Sequence, residues 1–373
     1  MTRIVYVVNS DFFFLSHRLP LALEAARRGR HVTVIAPDTG RLGEIAALGL
    51  EVVDLPLSRS GTGLVQEWTA VRFLRRELDR LRPDLVHLVT SKPMTYGAIA
   101  LWGRDAPTVN SVSGLGYAFT SGRGGILRRV MEQLYRFALR RPRAWSVFQN
   151  DDDYAAFEAL GAVVPSRSVF IRGSGVDLEA FPFVSEPAGV PVVLLPARLL
   201  WDKGVGEFVE AARIVRDRGL EARFVLVGKL DPGNPAAVPQ TDLEAWLDEG
   251  IVEWWGYRTD MPDVYRQATV VALPSYREGL PKALLEAGAA GRAIVTTDVP
   301  GCRDVVEDGV TGLIVPARDA QGLADAVAQL LDDAGKRDAL RHAARRYVED
   351  HHSIEHIVAQ HFELYDRALG MTA

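Results

Sequence analysis

The chain has 373 residues, 48% hydrophobic and 24% charged, with a net charge of -5, enough apolar material for two domains with a core each. Its single cysteine, Cys302, excludes an intramolecular disulfide framework and a zinc site built from cysteines. The charge is uneven: residues 1–170 hold 22 basic and 16 acidic side chains, residues 171–373 hold 21 and 32, so the first half is the one expected to meet an anionic partner.

Residues 1–10 read as a buried strand, too short in apolar length for a signal-peptide core. No stretch approaches the roughly 18 apolar residues of a membrane-spanning helix. Apolar runs rich in Val and Ile follow at 31–37, 51–57, 85–90, 107–112 and 144–150, separated by helical stretches at 17–28, 64–81 and 93–103. Strands alternating with helices imply βαβ units, and strands apolar on both faces imply a covered parallel sheet. The first strand ends at Asn9 and Ser10; Phe12, Phe13 and Phe14 then read as core or as the wall of a binding site, core being favoured, and His17 and Arg18 follow at a helix start.

Gly114 and Gly116 lie in SVSGLGYAFT at 111–120, beside Tyr117, where a backbone can be closely approached. The segment lacks the third glycine of a dinucleotide fingerprint and does not follow the first strand, so no nicotinamide cofactor is expected. Residues 121–145 hold seven arginines and one glutamate, with Ile126, Leu127, Val130, Leu134, Phe137 and Ala138 at helical spacing. Such a basic amphipathic helix can lie on an anionic membrane or present a solvated basic face while its stripe packs inward. Asp151–Asp153 read as helix-capping residues.

Residues 168–191, rich in Gly and Pro, read as a linker, dividing the chain into domains 1–170 and 171–352. The alternation then restarts, with strands near 192–199, 222–230, 251–257, 269–276, 293–299 and 311–317 and helices at 204–218, 240–248, 260–267 and 281–290. Three helices close the chain at 319–333, 335–350 and 353–369, the last expected to pack back on the first domain. Two doubly wound domains leave a crevice at the strand ends, where ligands bind in open α/β sheets. His351, His352, His356 and His361 cluster without a metal-site pattern, so no metal is expected.

Two segments carry the chemistry. In SYREGLPKALLEA, Glu278 sits on a polar loop, Gly279 and Leu280 lead into a helix with Pro281 in its first turn, and Glu286 lies about 7 Å along the helix axis from Pro281. Helix-start amides bind phosphate oxygens. The two carboxylates suit the separate ends of a sugar nucleotide. The alternative is a surface ion pair between Lys282 and Glu286, with Glu278 solvated. In LLPARLLWDKGV, Arg198 ends a strand and Lys203 opens a helix, two cations suited to a diphosphate; a solvated basic loop is the alternative.

ARLLWDKG, followed some seventy residues later by LPSYREGLPKALLEA, resembles the retaining GT-B glycosyltransferases with an E-x7-E motif, and the likeness covers nearly the whole chain, SGVDLEAF included. The resemblance implies two Rossmann-like domains. It makes Arg198 and Lys203 the diphosphate ligands, Glu278 the contact to the transferred sugar and Glu286 the ribose ligand. Gly279 and Leu280 amides would touch sugar and phosphate, Tyr257 and Arg258 would lie along the nucleobase, and Gly228 would line the pocket. By their place at the strand ends and loops of the first domain, Asn9, Ser10, His17, Arg18, Lys92, Gly114, Gly116 and Tyr117 are the acceptor-binding candidates, with local packing as the alternative for His17 and Arg18 at the helix start. The subgroup resembled builds O-antigen, capsule and lipid-linked oligosaccharides. It implies a nucleotide sugar, UDP-linked, as donor and a saccharide or polyprenyl-diphosphate-linked acceptor, with no cofactor and no nucleic acid. Its expected place is the cytoplasm, peripheral on the inner face of the membrane through helix 121–145. A sugar-nucleotide epimerase, a phosphorylase or a non-catalytic partner subunit are the competing readings.

Overall fold

The computed structural model describes residues 1–57, 63–113 and 125–371. The chain divides into two units, Met1–Ser174 with Glu355–Ala373, and Gly175–Ile354.

In the first unit, seven parallel strands lie in the order β3-β2-β1-β4-β5-β6-β7: β1 Arg3–Val7, β2 His31–Ala36, β3 Glu51–Asp54, β4 Leu85–Val89, β5 Thr108–Ser111, β6 Ala144–Phe148 and β7 Ser168–Phe170. Every residue of β4 is buried, as expected of a central strand covered on both faces. β7 is a correction, because the residues opening the expected linker pair in parallel with β6, Ser146 opposite Ser168. A strand of three residues is too short to show a period against its Gly- and Pro-rich neighbours. The helix expected over 17–28 is two helices, Asp11–His17 and Leu19–Arg27. Pro20 stands in the first turn of the second, where its missing N–H costs nothing and its fixed φ favours a new start. Helix Asp151–Ala159 is capped by Asn150, whose side chain accepts from the Asp153 amide at 2.7 Å, so the three aspartates form the first turn rather than the cap.

The final helix, Ile354–Leu369, gives this unit a buried polar cluster. The Tyr365 hydroxyl lies 2.6 Å from His87 Nδ1 and donates to the Tyr6 hydroxyl at 3.2 Å, while His87 Nε2 lies 2.7 Å from Ser111 Oγ. His361 packs beside His87, with ring centroids 5.8 Å apart.

In the second unit, six parallel strands lie in the order β10-β9-β8-β11-β12-β13: β8 Val192–Pro196, β9 Arg223–Val227, β10 Glu253–Trp254, β11 Val270–Leu273, β12 Ala293–Thr297 and β13 Leu313–Val315. Alternate residues of β8 serve two cores. Val193 and Leu195 join Phe208, Val209, Leu323 and Val327 on one face. Val192 and Leu194 join Tyr265, Leu284, Leu285, Ala344 and Val348 on the other. Strand order reverses between β8 and β11, which makes their carboxyl ends the favoured ligand position in a doubly wound sheet.

Candidate active site

The loops after β8 and β11 are locked together by backbone. Gly204 adopts φ +72 at the start of helix Val205–Asp217, and a Cβ there would lie 2.1 Å from the Pro274 carbonyl oxygen. Only glycine permits that approach. The Tyr276 amide donates to the Asp202 carbonyl at 2.9 Å. As a result Lys203 Nζ, in a 3-10 turn over Trp201–Lys203, donates to Glu278 Oε1 at 2.6 Å. Both side chains are mostly buried, 18% and 14% exposed. Ser275 Oγ donates to the same carboxylate oxygen at 2.7 Å, and the Glu278 amide donates to the Pro300 carbonyl at 3.0 Å. Glu278 is therefore fixed from both sides, not a solvated loop carboxylate. Cys302 is buried behind it, and burial pushes its thiol up to about 12, so it is not a nucleophile at neutral pH.

Arg198 stands two residues beyond the end of β8, and its guanidinium donates to Asp231 at 2.9 Å. Gly228, at the end of β9, lies so close to β8 that a Cβ would sit 1.8 Å from the Ala197 carbonyl oxygen. Its own carbonyl accepts from Trp254 Nε1 at 2.9 Å and its amide donates to the Gly256 carbonyl at 2.9 Å. Glycine here sets the spacing of the strand ends.

Glu286 lies one turn into helix Lys282–Ala289, for which Pro281 is the N-cap rather than a first-turn residue. The Lys282 pair is present at 3.3 Å, yet the Glu286 side chain is only 12% exposed. The Tyr265 hydroxyl donates to the Ala283 carbonyl at 3.0 Å and to Glu286 Oε2 at 3.3 Å. Burial raises the Glu286 carboxyl above the usual carboxylate range, against the opposing pull of Lys282 and Tyr265. An ordinary surface ion pair would leave the carboxyl solvated. Gly279 and Leu280 form the bend just before Pro281, with Leu280 packed on the core. Tyr257 is half exposed, and Arg258 Nε donates to Asp260 at 2.7 Å.

In the first unit, Asn9 follows β1, with its Oδ1 buried and unpartnered among the described residues. Ser10 and Arg18 are both buried, and for Arg18 this is the local packing that was the alternative to the cleft. Ser10 Oγ faces Asp11, and an Arg18 nitrogen donates to the His17 carbonyl at 3.0 Å. The break between the two helices falls at Arg18, and its buried guanidinium lies close to Tyr365 and Tyr6. His17 stacks on Phe13 at 4.2 Å and lies 2.6 Å from Ser16 Oγ through Nδ1. Only Phe14 of the three phenylalanines is core; Phe12 is exposed. Lys92 pairs with Glu67 at 2.8 Å. Gly114, Gly116 and Tyr117 lie outside the described residues.

The glycosyl transferase 4-like family model matches residues 3–150 and the glycosyl transferases group 1 model residues 190–333. The chain is 30% identical to the N,N'-diacetylbacillosaminyl-diphospho-undecaprenol alpha-1,3-N-acetylgalactosaminyltransferase of Campylobacter jejuni, over 98% of this chain and 99% of that protein. The chain is a glycosyltransferase of the 4-like and group 1 type. This glycosyltransferase is also 25% identical to the UDP-Gal:alpha-D-GlcNAc-diphosphoundecaprenol alpha-1,3-galactosyltransferase of Escherichia coli, over 81% of this chain and 80% of that one. Its fold is GT-B: it matches sucrose-phosphate synthase of Thermosynechococcus elongatus with a TM-score of 0.84 at 19% identity, over all of both chains. Anabaena HepE, solved with UDP and glucose, matches with 0.80 at 20% identity, over 98% of this chain and all of that one.

Sequence reasoning passed over three residues of this glycosyltransferase: Ser275, which holds Glu278; Tyr265, which holds Glu286; and Asp231, which holds Arg198. Ser275 stands inside the motif and was legible there. Asp231 and Tyr265 reach their partners only through the pairing of β9 with β8 and the packing of helix Met261–Arg266. Asp11 was also missed. Burial would raise its carboxyl, and hydrogen bonds from Thr39, Arg41 and Phe12 outweigh that and hold it below the usual range. Among the described residues no group of three or more metal-ligating side chains gathers, and no helix is long and apolar enough to cross a membrane.

Proposed function

We propose that this glycosyltransferase moves a hexose or N-acetylhexosamine from a UDP-linked nucleotide sugar to a polyprenyl-diphosphate-linked saccharide, with retention and without a metal, in bacterial surface-polysaccharide or glycan assembly. The observation that carries the donor half is the placing of Arg198, Lys203, Glu278 and Glu286 at the carboxyl ends of β8 and β11. The acceptor half is supported by the two undecaprenol-linked relatives.

On this reading the donor's diphosphate lies against Arg198, Lys203 and the amides at the start of helix Lys282–Ala289, while Glu286 accepts from the ribose hydroxyls. Its arrival takes Lys203 from Glu278, which turns to the hydroxyls of the transferred sugar. As the anomeric C–O bond breaks, its electron pair goes to the diphosphate oxygen. Fixed cations and N–H dipoles stabilise that charge where it forms. The acceptor hydroxyl attacks the same face and its proton passes to the departing phosphate. A thermal-shift panel of UDP-, GDP- and ADP-sugars tests the donor, since a ligand of the native state raises its apparent stability. Transfer to a synthetic prenyl-diphosphate-linked saccharide, with the product's anomeric configuration read by NMR, tests the rest. Sugar isomerisation without acceptor, or dependence on free phosphate, would replace this reading with an epimerase or a phosphorylase.

The same reading places the enzyme on an anionic membrane through helix Ile126–Leu139. Its inward side chains are Tyr135, Ala138 and Leu139, and much of the expected apolar stripe faces outward: Val130 is exposed, and Leu134 and Phe137 are half-buried. Exposed Trp102 adds to it, 5.4 Å from the Phe137 ring. Arg140 and Arg141 are tied to carbonyls of their own unit; Arg128 and Arg129 flank the strip at its other end and are exposed. An apolar strip with a tryptophan beside exposed arginines fits a lipid headgroup boundary. Sedimentation with phosphatidylglycerol vesicles should fall with salt and in Phe137→Asp; equal sedimentation in all cases would refute it.

A further inference from the structure

Arg198, assigned above to the donor's diphosphate, already holds an anion. Its guanidinium donates to Asp231 at 2.9 Å, with 44% and 30% of the two side chains exposed. A pair this open contributes little to folding. Its placement is nevertheless fixed. The Trp201 amide donates to the Ala236 carbonyl at 2.8 Å, the Val238 amide to the Leu199 carbonyl at 3.0 Å, and the Asn234 amide to the Asp231 carbonyl at 2.8 Å. Asn234 Oδ1 accepts from the Ala236 amide at 2.9 Å. The loop bearing Asp231 is thus stitched along the segment bearing Arg198, and the carboxylate is held at the cation.

We propose that Asp231 is a built-in counter-ion that competes with the nucleotide diphosphate for Arg198 and so speeds release of the nucleoside diphosphate product. The inference rests on the donor-site reading. The physical need is specific. A sugar nucleotide carries its diphosphate as a diester, whereas the product carries a terminal phosphate with additional negative charge near neutral pH. Cations strong enough to stabilise the leaving group therefore hold the product more tightly than the substrate. A carboxylate beside one of them offsets that excess and takes the guanidinium back as the product departs.

The test is calorimetric binding of UDP, GDP and ADP and the matching monophosphates to the full chain, as wild type, Asp231→Asn, Asp231→Glu, Arg198→Ala and Arg198→Ala/Asp231→Asn. For the diphosphate that binds the wild type most tightly, Asp231→Asn should lower Kd by about threefold to tenfold, with a smaller change for the monophosphate. The gain should shrink at high salt, vanish on the Arg198→Ala background, and be absent in Asp231→Glu. Steady-state kcat should fall in Asp231→Asn while a single turnover does not slow. Unchanged or weaker diphosphate binding in Asp231→Asn overturns the counter-ion role and leaves Asp231 as a residue that only orients Arg198. Failure of all three diphosphates to bind, or no loss in Arg198→Ala, overturns the donor-site reading itself.

Discussion

Lys203 Nζ lies 2.6 Å from Glu278 Oε1, joining residues 75 positions apart into one mostly buried ion pair at the ends of β8 and β11. Each charge neutralises the other, so the pair sits in mostly buried surroundings without an uncompensated ion.

Lys203→Ala is expected to reduce transfer by about 100-fold to 1,000-fold, the usual cost of losing one fixed stabiliser of a leaving group. Glu278 keeps its Ser275 hydrogen bond, so circular dichroism should report an intact fold and melting should shift by only a few degrees. Turnover within tenfold of wild type would remove Lys203 from the machinery.

Gly204→Ala should unfold the site without touching a charged group. Its Cβ would enter within 2.1 Å of the Pro274 carbonyl oxygen at a backbone φ of +72. A left-handed position alone costs about 1 kcal/mol or more for a residue with a Cβ, and the clash adds to it by pushing the two loops apart. Both melting temperature and donor-induced stabilisation should drop. A variant that melts and binds like wild type would contradict the close approach.

Glu286 should make stability depend on pH in the unusual direction for a carboxylate. Its folded-state pKa is raised by burial, so above the unfolded value of about 4.3 the folded state binds more protons than the unfolded one, and stability falls as pH rises through the interval between the two. Glu286→Gln should therefore gain stability relative to wild type at pH 8 and lose that advantage below pH 4, while losing donor binding. Chemical denaturation at both pH values measures it; an advantage larger at low pH would reverse the assignment.

His361 and His87 predict the opposite slope for the first unit. Burial, then the Arg18 charge, lowers His361 to about 3, and burial lowers His87 well below the ordinary value, with Arg18 and His361 adding to it. Tyr6 and Tyr365 complete the cluster, both held neutral by burial. The unfolded chain binds protons at these histidines from about pH 6.5 downward, so stability present at neutral pH is lost as pH falls, by about 2 kcal/mol at pH 5 from His361 alone. His361→Leu should flatten that dependence, and Arg18→Met should let His361 protonate at higher pH, as followed by NMR titration. A pH-independent wild type between pH 7 and 5 would refute the account.

The two parallel sheets were legible because strands buried on both faces are rich in apolar residues, as VVLLP at 192–196 and VVAL at 270–273 are. The candidate site was legible as a cluster because glycines, proline and charged residues crowd at two strand-to-helix turns. Pairing partners were not. Whether Glu286 belonged to a surface pair with Lys282 or to a buried site depended on Tyr265, 21 residues earlier, and which way the Arg18 side chain turned, to the cleft or to local packing, could not be read from its place at a helix start. The sequence by itself determined the alternation of strands and helices, the two repeats of it, and the positions of Arg198, Lys203, Glu278 and Glu286 at loop and helix starts. Only the tertiary structure decided which charges face one another and which are buried, because contacts across a sheet are set by strand order and register, and these join residues that local spacing leaves unrelated.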